Sequence, residues 1–150
     1  MSVTIKRTVA AALAATGLVA GLGATTAAQA STAPTYCVTD GMGSGYAAPA
    51  IKPADIYLGA DFYVGHARWA SWGTTRAVGQ GREVVSAGAD YPTYRWASRL
   101  VLSGVTHHDG RAYFDKLIIE PQGAARQQAI AVTGHANTTL RLVDGGWIQR

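Results

Sequence analysis

The sequence has 150 residues, of which 48% are hydrophobic and 15% charged, with 13 basic and 9 acidic side chains and one cysteine. This length predicts one ordinary domain rather than several, and a single cysteine excludes an internal disulfide. The basic residues are spaced singly along the chain. Because a nucleic-acid-binding surface needs clustered cations, nucleic acid is not an expected partner.

The first thirty residues predict an export signal. Lys6 and Arg7 precede an apolar stretch over residues 8–24, and Ala28-Gln29-Ala30 offers small residues at the positions that a signal peptidase recognises. The glycines and threonines of the apolar stretch make it a poor permanent membrane span, although an uncleaved anchor is the alternative. Cleavage before Ser31 leaves 120 residues, in which 11 basic and 9 acidic side chains give a net charge of +2. We therefore expect a secreted protein, extracellular or associated with the cell envelope, without stable membrane insertion.

Residues 31–52 are predicted to form a flexible linker. Gly, Ala, Pro, Ser and Thr dominate, and the glycine-rich stretch Gly41-Met42-Gly43-Ser44-Gly45 lacks the apolar periodicity of a buried element. That stretch does not predict a phosphate-binding loop, because no strand-to-helix unit or lysine accompanies it. Cys37 lies in this segment, and in an oxidising compartment it could form an intermolecular disulfide or stay a free thiol.

Residues 53–150 predict a β-rich globular domain. The clearest strand covers residues 91–102, where Trp96, Ser98, Leu100 and Leu102 share one face and arginines alternate on the other. This parity predicts that Trp96 is a core residue. Further strands are predicted over residues 56–58, 63–72, 76–85, 111–119, 138–143 and 147–148.

Turn signals separate these strands. Asp109-Gly110 and Asp144-Gly145-Gly146 are typical of tight β-hairpins, because both turn positions tolerate positive φ. Gly73-Thr74-Thr75 fits a turn between two earlier strands. Only residues 124–131 predict a helix, and it is short. The pattern indicates an all-β, mainly antiparallel fold, a single small sandwich or barrel of about six to eight strands.

No metal site or cofactor is predicted. His107 and His108 are adjacent, so on a strand their side chains point to opposite faces, and His66 and His135 are distant in sequence. Ser71 lacks the glycine-flanked elbow of a nucleophilic serine.

The carboxylates give no catalytic signature either. Asp61, Asp109, Asp115 and Glu120 are the candidates for a glycosidase-type pair, but nothing in the sequence selects two of them. Asp115 shares a strand face with apolar residues, so its carboxylate would have a raised pKa or would pair with an arginine. No catalytic residue is predicted.

The aromatic residues carry the binding hypothesis. Trp69, Trp72, Tyr91 and Tyr94 are candidate ligand-binding residues, because sugar rings stack on exposed tryptophan and tyrosine, although small β-domains also use such rings as core. Trp69 and Trp72 are three residues apart, so on a regular strand one would face the core and the other would be exposed or covered by a loop.

The segment Trp69-Ala70-Ser71-Trp72-Gly73, followed by Ala77-Val78-Gly79-Gln80-Gly81, resembles a group of small secreted actinobacterial proteins of unknown function. Leu102-Ser103-Gly104 and Tyr113-Phe114 are also similar, and the resemblance covers about residues 53–120. It implies secretion and a β-rich domain, with no named activity. Similar chains often carry a cysteine pair in the loop after the glycine segment, whereas residues 86–90 contain none here. Gly79 and Gly81 are expected to let a strand bulge or bend beneath a tryptophan.

These features together predict a non-catalytic binding or envelope-associated domain. Its expected ligand is a cell-wall or environmental glycan, with another protein as the alternative partner. Two other classes stay open: a small secreted hydrolase using Asp or Glu acid–base chemistry, and an inhibitor that presents the loop over residues 86–90.

Overall fold

The computed structural model describes residues 33–40, 46, 48–86 and 92–150, so the predicted signal peptide lies outside the described residues. Strands dominate the described part of the chain, which confirms the all-β fold class. No helix within it has the length and apolar character needed to cross a membrane. The elements in chain order are β1 (Thr35–Val38), β2 (Pro49–Ala50), β3 (Ile56–Gly59), β4 (Phe62–Trp72), β5 (Arg76–Ser86), β6 (Thr93–His108), β7 (Arg111–Pro121), α1 (Ala125–Thr133), β8 (Thr138–Val143) and β9 (Gly146–Gln149).

Seven of these strands form one curled sheet in the order β2-β1-β7-β6-β5-β4-β3, which gives a half-barrel. The long antiparallel pairs β4–β5, β5–β6 and β6–β7 form its centre. The C-terminal hairpin β8–β9 joins the sheet through β8, which pairs with β7. The fold is therefore closer to the barrel than to the sandwich alternative.

The sheet is mixed because β1 runs parallel to β7, with Thr35 and Tyr36 opposite Ala112 and Tyr113. Just after β1 the chain reaches β3, where the Tyr57 amide donates a hydrogen bond of 2.7 Å to the Thr39 carbonyl. The two flanks of the curled sheet therefore meet at this point.

The core lies against one face of the sheet, which we call the inner face. Trp96, Ser98, Leu100 and Leu102 of β6 all point to it and are buried, as the alternation predicts. The largest side chains with less than 2% exposure come from strands all around the sheet and include Ile56, Leu100, Leu102, Phe114, Leu117, Ile119 and Leu140. One continuous core thus holds the domain together.

The predicted hairpin turns are confirmed. Asp109 and Gly110 have φ of 47° and 72°, and Asp144 and Gly145 have φ of 51° and 82°, the left-handed values that two-residue hairpins need. The helix over residues 124–131 is also confirmed, at Ala125–Thr133, and Gly134 ends it with φ of 77° and a hydrogen bond from its amide to the Ile130 carbonyl.

The prediction of a flexible linker over residues 31–52 is wrong for its described strands. β1 and β2 lie within it, and Cys37 and Val38 are fully buried in the core. The Trp147 indole nitrogen donates a hydrogen bond of 2.9 Å to the Val38 carbonyl, which ties the C-terminal hairpin to β1. The glycine stretch at residues 41–45 lies outside the described residues.

Two β-bulges on β4 change which side chains share a face. Between Gly65 and Arg68, and again between Trp69 and Ser71, β4 uses one residue more than β5. The second extra residue puts Trp69 and Trp72 on the same face, so the expectation that they face opposite ways is wrong. The regular-strand rule fails here because a bulge shifts the parity by one.

Gly79 and Gly81 of β5 make room for side chains of the neighbouring strand β4. A Cβ at Gly79 would lie 2.8 Å from the Trp69 ring, and one at Gly81 would lie 2.6 Å from the Cγ1 methyl of Val64. β5 itself keeps an unbroken register with β6 from Arg76 to Ser86. The expected irregularity therefore occurs on β4, opposite the glycines, while the glycines provide the space beneath the tryptophan.

Candidate functional site

The strongest candidate site is a groove on the outer face of β4, β5 and β6, with a volume of about 1150 Å³. We call it the arginine groove, because four arginines line it: Arg68, Arg82, Arg95 and Arg99. His66 and Gln80 complete its polar lining. A groove with these side chains can accept anionic groups, since guanidinium ions bind carboxylate and phosphate with paired hydrogen bonds.

Strand register explains how arginines that are distant in sequence come together. Arg68 lies opposite Gln80, and Gln80 lies opposite Arg99, so one row crosses three strands. Arg82 lies opposite Ala97, which makes Arg95 and Arg99 its diagonal neighbours on β6. Adjacent strands lie about 4.8 Å apart, so the four charges fall within a patch on the order of 10–15 Å across.

Only one of these arginines has an acidic partner within the described part of the chain. Arg99 forms an ion pair with Glu120, at 2.6 Å between Nη1 and Oε2. No described carboxylate pairs with Arg68, Arg82 or Arg95, all of which are exposed. The groove therefore concentrates positive charge that a bound anion would offset.

Sequence reasoning missed this groove because it counted charges along the chain. The basic residues do stand singly there, but strand pairing gathers four of them, so the premise that they form no cluster is wrong for the folded domain. The signal that could have found them is parity: Arg95 and Arg99 share one face of β6, and Arg82 shares a face of β5 with Gln80.

Trp69 and Trp72 are partly buried and pack against the core. Their rings meet edge to face at 4.8 Å, and Trp72 meets Phe114 in the same way at 5.4 Å. Both indole N–H groups donate to backbone carbonyls, that of Trp69 to Pro53 at 2.8 Å and that of Trp72 to Thr35 at 3.0 Å. These contacts give both tryptophans a packing role, although Trp69 also borders the arginine groove.

Tyr94, the one candidate tyrosine among the described residues, does not lie beside Trp69 and Trp72. Tyr94 is half-buried on β6, two residues before Trp96 and on the same strand face, at the end of the strand away from Trp72. Tyr91 lies outside the described residues. The glycan-binding role of the aromatic set stays a prediction.

A second concave site lies at one end of the half-barrel and has a volume of about 300 Å³. Its wall includes Glu83, which is 1% exposed and which the sequence did not single out. Trp96 Nε1 and Ser98 Oγ both donate hydrogen bonds to Glu83 Oε2, at 2.6 and 2.8 Å. Burial raises the pKa of the Glu83 carboxyl, and these two hydrogen bonds offset part of the rise.

Three of the four carboxylates considered for hydrolysis do not line this cavity. Asp115 Oδ1 lies 3.4 Å from Arg141 Nη1, so of the two expectations for this carboxylate the structure shows pairing with an arginine. Glu120 pairs with Arg99. Asp109 sits beside His108 in the exposed β6–β7 turn. Asp61 lines the same cavity as Glu83, an acid that the sequence did not select. The structure thus does not bring the predicted acids together as a catalytic pair within the described residues.

Within the described part of the chain, no group of three or more His, Cys, Asp or Glu side chains is placed to hold a metal ion. Cys37 is fully buried, and burial raises the pKa of its thiol, so the folded domain keeps it protonated and inaccessible. An intermolecular disulfide through Cys37 would require β1 to leave the core. Ser71 is exposed on β4 and pairs with Val78, without a histidine in the ladder beside it.

The fold and the groove define a small all-β domain with a basic groove on its outer face. No protein-family model, curated protein or solved structure matches the chain.

Proposed function

We propose that this chain is an exported, non-catalytic protein of the cell envelope that binds an anionic glycan in the arginine groove. The observation that supports the proposal most strongly is the set of three exposed arginines, Arg68, Arg82 and Arg95, that have no acidic partner among the described residues. Like charges held this close repel one another, so a polyanion laid along the groove would relieve that repulsion and gain charge-assisted hydrogen bonds.

The proposed ligand follows from the groove and the predicted export together. An open groove on a sheet suits an extended polymer, whereas small molecules bind mostly in enclosed cavities. Export would place the domain among wall polymers, whose acidic groups are carboxylates and phosphates. The polar side chains His66 and Gln80 are available for sugar hydroxyls.

The first experiment is retention of residues 31–150 on insoluble cell wall, compared with wall stripped of its anionic polymers, chitin and cellulose. We expect saturable binding to intact wall only, weakening steeply as salt rises, because exposed charge pairs are screened. Single- and double-stranded DNA serve as competitors. Binding to the neutral polymers alone, or tighter binding to DNA than to wall polymer, would contradict the proposal.

A triple variant, Arg68→Gln with Arg82→Gln and Arg95→Gln, tests the groove itself. At about 1 kcal/mol per exposed charged contact, the loss should be on the order of 100-fold in affinity. The matched control replaces Arg76, Arg126 and Arg150 by Gln, since these arginines are exposed and lie outside the groove. Equal losses in the two triple variants would show attraction to net charge rather than a site.

The other two classes have less support. A hydrolase would need two facing acids with access to substrate, and Asp115 and Glu120 are each paired with an arginine. An inhibitor would present residues 86–90, of which 87–90 lie outside the described residues. Membership in the group of secreted actinobacterial proteins that the sequence resembles also stays a prediction.

A further inference from the structure

The cavity at the end of the half-barrel is separate from the arginine groove and has a different lining. It lies between the β3–β4 turn, the end of β5, the segment after α1 and the C-terminal strand, which supply Asp61, Val85, His135 and Gln149. Its volume of about 300 Å³ is at the lower limit of small-molecule sites, and barrel mouths are a common place for such sites.

Glu83 gives this cavity its chemical character. The side chain is 1% exposed, and among the described residues both of its hydrogen bonds, from Trp96 and Ser98, reach the same oxygen, Oε2. No described lysine, arginine or histidine forms an ion pair with it. Its carboxyl is thus buried beside a cavity, and no cation from the described residues balances it. The charged form therefore costs free energy unless a bound cation balances its charge.

The remaining lining favours one kind of ligand. The cavity wall holds two carboxylates, Glu83 and Asp61, and one histidine, His135, and contains neither lysine nor arginine. Phe62 and Val85 add an apolar wall, and Thr138 and Gln149 add groups that form hydrogen bonds. A metal ion fits less well, because no set of three ligating side chains converges within the described residues.

We propose that this cavity binds a small organic molecule through a primary ammonium group, which pairs with the Glu83 carboxylate while its apolar part packs on Phe62 and Val85. The ammonium would balance the Glu83 charge, and its second and third hydrogens could reach hydroxyl or amide oxygens of the wall. This site goes beyond the proposed function and does not depend on it.

The experiment titrates residues 31–150 with benzylamine and, as a neutral probe of similar shape, benzyl alcohol. Calorimetry measures the affinity. Tryptophan fluorescence reports on the site because the Trp96 indole donates a hydrogen bond to Glu83. We expect the amine to bind at least ten-fold more tightly than the alcohol. No amine binding up to about 10 mM, or equal affinities for the two probes, would overturn the proposal.

The decisive variant is Glu83→Gln, whose amide oxygen can still accept the hydrogen bonds of Trp96 and Ser98 while the charge is lost. Amine affinity should fall at least ten-fold, whereas Glu120→Gln, on the outer face, should leave it unchanged. Circular dichroism establishes that both variants fold. Unchanged amine affinity in Glu83→Gln would refute the site. The triple arginine variant should bind benzylamine like the wild type, so failure of either proposal can be recognised separately.

Discussion

The hydrogen bond between Trp147 and β1 offers the sharpest test of how the two ends of the chain are joined. Trp147 is 5% exposed, and its indole nitrogen donates to the carbonyl of Val38, a fully buried residue 109 positions away. The only other described side-chain donor to that carbonyl is the Cys37 thiol, at 3.3 Å, which is a weak donor. In Trp147→Phe the ring burial largely survives, while the N–H is lost.

The expected cost has two parts. A buried carbonyl left without a good donor costs about 1–3 kcal/mol, and the smaller ring loses about 1 kcal/mol of apolar burial. The free energy of unfolding should therefore fall by about 2–4 kcal/mol, a large share of the roughly 5–15 kcal/mol of a typical domain. For a domain of this size the melting temperature should fall by roughly 8–15 °C.

Trp72→Phe is the matched control. Its indole also donates to a β1 carbonyl, that of Thr35 at 3.0 Å, but this hydrogen bond is only partly buried, so water can replace the lost donor. We expect a cost of about 0.5–1.5 kcal/mol. Urea unfolding followed by far-ultraviolet circular dichroism measures both variants. If Trp147→Phe costs no more than Trp72→Phe, the buried bond is not what fixes β1 to the C-terminal hairpin.

Three further predictions concern single residues. The folded state holds a proton on Glu83 more tightly than the unfolded chain does, so this group favours folding at acidic pH, and the benefit is lost as pH rises through its raised pKa. In urea titrations, wild type should therefore gain stability relative to Glu83→Gln as pH falls from neutral toward 4.5, the ordinary value for glutamate. A difference that stays constant with pH would refute this. Gly104→Ala and Gly110→Ala impose similar backbone strain, at φ of 65° and 72°, but of the two new Cβ atoms only the one at position 104 would meet the Asp115 carboxylate. Thermal melts should therefore show a loss of stability about 1–3 kcal/mol larger in Gly104→Ala than in Gly110→Ala. Cys37 should resist a thiol reagent in the native protein and react fully in urea, whereas rapid native labelling would show that β1 opens.

The centre of the sheet could be predicted from the sequence because its signals are local. The alternation through residues 91–102 and the Asp109-Gly110 turn each depend on neighbouring residues, and the β6–β7 hairpin follows from both. The strand continues past Leu102 to His108 because Gly104 takes a positive φ without ending the ladder.

The rest of the fold depends on contacts that are distant in sequence. β1 is a short strand in a segment of turn-forming composition, and it is ordered by β7 and Trp147 rather than by its own propensity. The bulge between Trp69 and Ser71 arises opposite Gly79, where any side chain would meet the Trp69 ring. Neither feature produces a repeating pattern in the sequence of one strand, so the sequence of that strand alone does not predict it.

The two candidate sites also depend on contacts between residues that are distant in sequence. The arginine groove needs the register of three strands, which sets Arg68, Arg82 and Arg99 near one another. Glu83 looks like an ordinary surface acid in sequence, since Arg82 precedes it. It is buried on the inner face, where Trp96, directly opposite on β6, and Ser98 donate hydrogen bonds to its carboxyl group.

The position of β1 also changes where the domain begins. The sequence placed that boundary at residue 53, but removal of residues 31–52 would uncover the edge of β7 at Ala112 and Tyr113 and leave the Trp147 N–H without its acceptor. It would also remove Thr39, whose carbonyl joins β1 to β3. An exposed β7 edge is a template for pairing with other chains. The folding unit therefore includes β1, and the predicted cleavage before Ser31 would leave only four residues between the new N-terminus and the first strand of the sheet.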